Sequence, residues 1–258
     1  MKKEQVYKIV IEFLLLIVIL QGVFIIISRP KKPSKIAVVL KGKIAIVVDD
    51  WGYNLNNLHL LDQIKYPLTM SVLPNLSYSS LVARELHTRG FEIILHLPLE
   101  PHEKYRLEKN TIMTSWDEET IKNVINQDLA SITYAKGVSN HMGSRATEEP
   151  RIMEIIFKEL KKRYLYFLDS IVSSKSVCSD LARKMDLGFA KRDVFLDNQE
   201  DPVYIKGQIY KLKMKAKHYG RAIGICHDRK ISLEVLKEIM SQLEKEGYKF
   251  VFVSELVK

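Results

Sequence analysis

Residues 44–50, IAIVVDD, are five apolar residues followed by two carboxylates, Asp49 and Asp50. A run this short, rich in β-branched residues and without polar alternation, predicts a strand buried on both faces, as in a parallel sheet covered by helices. The pattern recurs. FEIIL ends on His96, GVS on Asn140 and His141, YLYFL on Asp169, and AIGIC on His227. Parallel strands bring all their carboxyl ends to one face, so residues far apart in sequence converge there on one pocket. Two carboxylates and several imidazoles suit a divalent metal and general acid/base chemistry.

Around these runs, strand-like and helix-like periods alternate, which predicts repeated βα units. Strands are expected at 44–48, 68–73, 91–95, 137–140, 165–168, 189–191, 222–226 and 249–253. Helices are expected near 55–65, 78–89, 117–134, 148–163, 176–186, 202–219 and 232–246. Ser115 with Glu118 reads as a capping box, Pro150 as a first-turn residue, and Gly90, Gly188, Gly220 and Gly247 as helix stops. Segment 98–115 has no clear period and follows the strand of His96, so it is expected to be a substrate-contacting loop.

The N-terminus has a different character. Residues 9–28 form an apolar stretch between Lys2, Lys3 and Lys8 on one side and Arg29, Lys31 and Lys32 on the other, the length of one membrane-spanning helix. Glu12 lies near its end, within reach of the interface. No small-x-small cleavage site follows, so the segment reads as an uncleaved anchor with a short cytoplasmic tail at 1–8 and the body outside the cytoplasmic membrane, periplasmic or extracytoplasmic. Residues 29–43, rich in Pro, Lys and Gly, read as a tether, and 44–258 as one α/β domain.

The net charge of +9 does not point to nucleic acid, because the lysines are spread over helices and tether without a dense stripe or interleaved aromatics. Anionic envelope polymers or lipid headgroups are the better match. Cys178 and Cys226 are too few for a disulfide framework.

In order, the stretches IAIVVDDWGYN, GFEIILHLPLEP, NHMGSRAT, FLDS, RDVFLDN and AIGICHD, then GYKFVFVSEL, resemble the divergent polysaccharide deacetylase family, a branch of the NodB-like carbohydrate esterases. The similarity runs from about residue 43 to the C-terminus. It implies a distorted (β/α) barrel, one bound divalent metal, commonly zinc, and removal of acetyl groups from amino sugars in a glycan such as peptidoglycan. By position, Asp49 is then the general base, Asp50 a metal ligand, and His227 the general acid, oriented by Asp228 or Asp169.

His96 matches the first His of the parent family's H-x-x-x-H motif, whose second place is taken by Glu100. Either Glu100 supplies an oxygen ligand or His141 completes the sphere. The favoured set is Asp50, His96 and His141, with Glu100 behind it. Arg145 and Arg192 are candidates to pair with Asp49 or grip substrate. Asn140, Asp169 and Asp193 are candidates for orienting roles, a choice that extends to Asp197, and Trp51 for stacking on a sugar face.

Three functions fit: a metal-dependent deacetylase, an envelope scaffold that kept the fold but lost turnover, and another metal-dependent hydrolase such as a phosphoesterase. The absence of a Gly-rich phosphate loop counts against the last.

Overall fold

The computed structural model describes residues 2–28 and 39–258, and the chain divides into two units, one holding the N-terminal helix and one the body. Residues 29–38, most of the expected tether, lie outside the described residues.

Helix α1 (Lys3–Ile27) is predominantly apolar, and an 18-residue window within its stretch Lys3–Ile25 has a mean hydropathy of 2.5. At 1.5 Å per residue that stretch covers roughly 35 Å, enough for a hydrocarbon core. It is the one helix among the described residues long and apolar enough to cross a membrane.

The body is a curled, open half-barrel of parallel strands wrapped by helices. Its strands are β1 (Gly42–Trp51), β2 (Thr69–Val72), β3 (Glu92–Leu99), β4 (Ala135–Met142), β5 (Tyr166–Asp169), β6 (Phe189–Lys191), β7 (Val194–Phe195), β8 (Arg221–His227) and β9 (Tyr248–Phe250). They lie in the order β6-β5-β4-β3-β2-β1-β8-β7, with β9 also paired to β1. The helices are α2 (Leu58–Leu61), α3 (Ser79–Thr88), α4 (Glu118–Ser131), α5 (Pro150–Lys162), α6 (Cys178–Met185), α7 (Pro202–Tyr219) and α8 (Lys230–Lys245).

Period-2 alternation sorts each strand between two cores. On β1, Ile44, Ile46 and Val48 pack under the helices, whereas Ala45 and Val47 join Ile94, Leu168, Ile225 and Val251 inside the half-barrel. The outer core is closed by amphipathic stripes such as Ile152, Ile156, Phe157 and Leu160 of α5. Truncating one of these buried side chains to Ala costs about 2–5 kcal/mol.

Several boundaries differ from expectation. Strand β1 starts at Gly42 and runs through the Asp pair to Trp51, while β3 continues past His96 to Leu99. The helix expected at 55–65 is reduced to Leu58–Leu61. The cap of α4 is Asp117, whose side chain accepts from Thr120 N at 2.7 Å, in place of Ser115. Strand β7 was not expected; two residues are too few to show a period.

Candidate metal centre and acid/base site

The alternation that builds the inner core also selects the site. Continuing inward from Val47, Ile94 and Ile225 by two residues gives Asp49, His96 and His227, and the same parity on β2 and β4 gives Ser71, Ser139 and His141. Asp50 has the wrong parity. Its backbone is left-handed (φ 67°), and the β1–β2 register slips between Val48 and Trp51, so a bulge turns its carboxylate back into the mouth of the half-barrel. Beyond His141, Met142 and Gly143 are also left-handed (φ 52° and 89°). A side chain at Gly143 would place its Cβ 2.7 Å from Leu99 Cβ, so this turn admits only glycine.

Asp50 Oδ1, His96 Nε2 and His141 Nδ1 form a triangle with all three sides 3.2 Å. Tetrahedral coordination with bonds of about 2.0–2.1 Å has ligand–ligand edges of about 3.3 Å. Asp50 Oδ1 has no hydrogen-bond partner although two imidazole nitrogens lie beside it. The three donor atoms lie together at the mouth, with His141 Nδ1 and His96 Nε2 at hydrogen-bond distance of each other, and two nitrogens with one carboxylate oxygen form a donor set suited to zinc. His96 is fixed from behind: its Nδ1 lies 2.8 Å from Ser139 Oγ, itself 2.7 Å from Ser71 Oγ, which leaves Nε2 for the triangle. Burial works against charge on Asp50, but the two imidazoles outweigh it and hold the carboxyl well below its ordinary range.

Asp49 is 3% exposed, with Oδ2 3.8 Å from His96 Nε2 and Oδ1 without a partner. Burial pushes its pKa up, with His96 and His227 pulling the other way. Across the triangle, His227 Nε2 lies 3.8 Å from Asp50 Oδ2. Its Nδ1 is 3.0 Å from Asp197 Oδ1, while Asp197 Oδ2 accepts from His227 N and from Ser232 Oγ at 2.9 and 2.7 Å. Burial alone lowers the pKa of this imidazole; the Asp197 bond and the surrounding carboxylates overcome it, and the net shift is upward.

Other expected residues stand elsewhere. The partner of His227 is Asp197, whereas Asp228 accepts from Asn57 Nδ2 at 2.8 Å and Asp169 takes Ile171 N and Ser176 Oγ at 2.8 and 2.6 Å. Glu100 lies outside the triangle, bound by Thr114 and by Arg145 at 3.2 Å. Arg145 thus pairs with Glu100, not Asp49. Arg192 donates to the carbonyls of Ser170 and Ile171 and lies over the Phe195 ring, with no carboxylate in contact. Asn140 ties β4 to β5 through Ser170 N, and Asp193 accepts from Ile223 N. Trp51 is fully buried, which excludes stacking on a sugar. The exposed aromatic beside the Asp pair is Tyr53, 49% exposed, whose hydroxyl donates to Glu108 of the 100–117 loop.

Ser71, Ser139 and Tyr53 escape a reading based on strand ends. The inward parity of Ser71 and Ser139 on buried strands is the signal that marks them; Tyr53 has none beyond its nearness to the Asp pair.

The uncharacterized protein YibQ of Escherichia coli strain K12 is 32% identical over 205 residues, which are 80% of this chain and 64% of YibQ; the chain thus spans less than two thirds of that relative. The crystal structure of an uncharacterized protein from Agrobacterium tumefaciens C58 superposes with a TM-score of 0.81 at 23% identity, over 89% of this chain and 92% of that one. A peptidoglycan N-acetylglucosamine deacetylase shares the fold at a TM-score of 0.53 and 11% identity, over 84% of this chain and 88% of its own. Residues 46–257 match the family model described as divergent polysaccharide deacetylase, and the chain belongs to that family.

Proposed function

We propose that this chain is a metal-dependent hydrolase that removes N-acetyl groups from an amino-sugar polymer of the cell envelope, peptidoglycan foremost, and that α1 anchors the body outside the cytoplasmic membrane. The observation that carries the reading is the 3.2 Å triangle of Asp50, His96 and His141 set between a buried carboxylate and a carboxylate-held imidazole. Membership in the deacetylase family and the fold shared with a peptidoglycan deacetylase support the substrate class.

Asp50, His96 and His141 would hold the ion, and when bound it supplies Lewis acidity at the acetyl carbonyl and at the attacking water. Asp49 takes the proton as the water oxygen bonds to the carbonyl carbon. Collapse of the tetrahedral adduct breaks the carbon–nitrogen bond, and His227, held by Asp197, gives its proton to the departing amine. Acetate and the free amino sugar leave. Tyr53, exposed and fixed through Glu108, offers a ring face for the sugar.

The test is acetate release from N-acetylglucosamine oligomers and from peptidoglycan, before and after metal is removed and restored. Release that depends on metal supports the reading. Metal-loaded protein that binds glycan without releasing acetate would make it a scaffold instead.

A further inference from the structure

Charge is sorted along the axis of the half-barrel. Since the strands are parallel and each helix returns the chain, helix C-termini share one end with strand N-termini, and the triangle lies at the other. The site end carries Asp49, Asp50, Glu100, Asp197, Asp201 and Asp228. The opposite end carries Lys41, Lys43, Lys136, Lys161, Lys162 and Lys217, of which all but Lys43 are exposed. Acidic groups at that end are largely paired or buried. Asp62 binds Arg89 and Glu246 binds Lys213, Glu244 accepts from Tyr66, Glu159 is buried against Lys162 and Arg163, and buried Glu92 accepts from Thr69 and Tyr166. Asp186, 3.7 Å from Lys161, and Glu255, which accepts from Phe252 N, remain exposed.

Apolar surface accumulates at the same end. A trough of about 980 Å³ opens there, lined by Phe91, Tyr134, Lys136, Lys161, Tyr164 and Phe252 among others. At its rim Tyr164 is 96% exposed, held off the body by a left-handed backbone (φ 57°). Tyr219, Val39 and Leu40 are exposed at 69%, 78% and 56%. Val39 and Leu40 stand where the chain arriving from α1 enters β1. Exposed apolar surface ringed by polar groups marks an interaction site. Amphipathic tyrosines among lysines match the headgroup layer of an anionic bilayer, where ring and hydroxyl each find their medium and ammonium groups meet phosphates.

We propose that this end of the body is a docking face for an anionic phospholipid surface, with Tyr164 and Tyr219 entering the headgroup layer and the metal site directed away from it. The reading of α1 as an anchor supplies the choice of a membrane as occupant. Strand β1 begins at Gly42, so the segment that follows α1 joins the body at this end.

The experiment mixes the full chain with neutral phosphatidylcholine vesicles or with vesicles one part of which is phosphatidylglycerol, and reads flotation and lysine acylation. The expected result is flotation on both, with Lys136, Lys161 and Lys162 labelled about fivefold less on the anionic vesicles, the scale of one lysine's attraction to such a surface. Lys104 and Lys175, exposed at the site end, keep equal labelling on both. High salt restores labelling. Tyr164→Ser combined with Lys136→Gln and Lys161→Gln removes the protection of Lys162. Equal labelling of the three lysines on the two vesicle types overturns the docking face while leaving the anchor intact. Flotation on anionic vesicles alone overturns the anchor and supports the face, and flotation on neither overturns both.

Discussion

Asp50 meets His96 across an intervening strand, Oδ1 to Nε2 at 3.2 Å, only because its own backbone is left-handed. Strand alternation directs residue 50 toward the helices; the bulge brings it back. A non-glycine residue in that conformation costs about 1 kcal/mol or more. In metal-free protein, Asp50→Gly should therefore unfold with about 1 kcal/mol more stability than Asp50→Ala, measured by chemical denaturation. Equal stabilities would mean that the bulge stores no strain.

Asp49→Asn should keep the fold and the bound ion and lose turnover by roughly a hundredfold or more, the scale of a missing general base. Glycan binding should be unchanged. The measurement is acetate release alongside glycan affinity, and retained turnover would move the base elsewhere.

His227→Ala should slow release of a sugar amine far more than hydrolysis of an activated phenyl acetate, whose leaving oxygen needs little protonation. Asp197→Asn should reproduce the same leaving-group bias in weaker form, since Asp197 acts through His227. Equal losses on both substrates would remove His227 from the acid role.

Away from the site, Asp128 is fully buried, accepts from Asn75 and Asn110, and has its second oxygen unpartnered; burial raises its pKa to about 6. Between the unfolded value near 3.8 and about 6, the unfolded chain releases this proton and the folded chain keeps it. Stability from this group is thus full below pH 4 and falls as pH rises, by up to about 3 kcal/mol. Asp128→Asn should flatten that fall and stabilise the protein at pH 7 by about 1–3 kcal/mol in urea titrations at several pH values. An unchanged pH slope would show that the carboxyl is not held neutral.

Much of the arrangement is legible in the sequence because parallel strands translate order along the chain into position around one mouth. IAIVVDD, FEIIL-His96, GVS-Asn140-His141 and AIGIC-His227 fix both the sheet and its carboxyl face. What the sequence conceals lies one step off this rule. The outward parity of Asp50 is reversed by a bulge that leaves no composition signal. Asp197 follows a strand of only two residues, so its place beneath His227 emerges from the β7–β8 pairing. Trp51 looks like a site aromatic by proximity, but the same bulge sends it into the core and leaves Tyr53 at the surface.

The most direct measurement is the metal content of purified protein and its variants by elemental analysis. The wild type should hold about one zinc-like ion per chain, His96→Ala and His141→Ala should hold none, and Glu100→Gln, outside the 3.2 Å triangle, should keep its ion. Full metal in His96→Ala, or loss in Glu100→Gln as complete as in His141→Ala, would contradict the assignment of the three ligands.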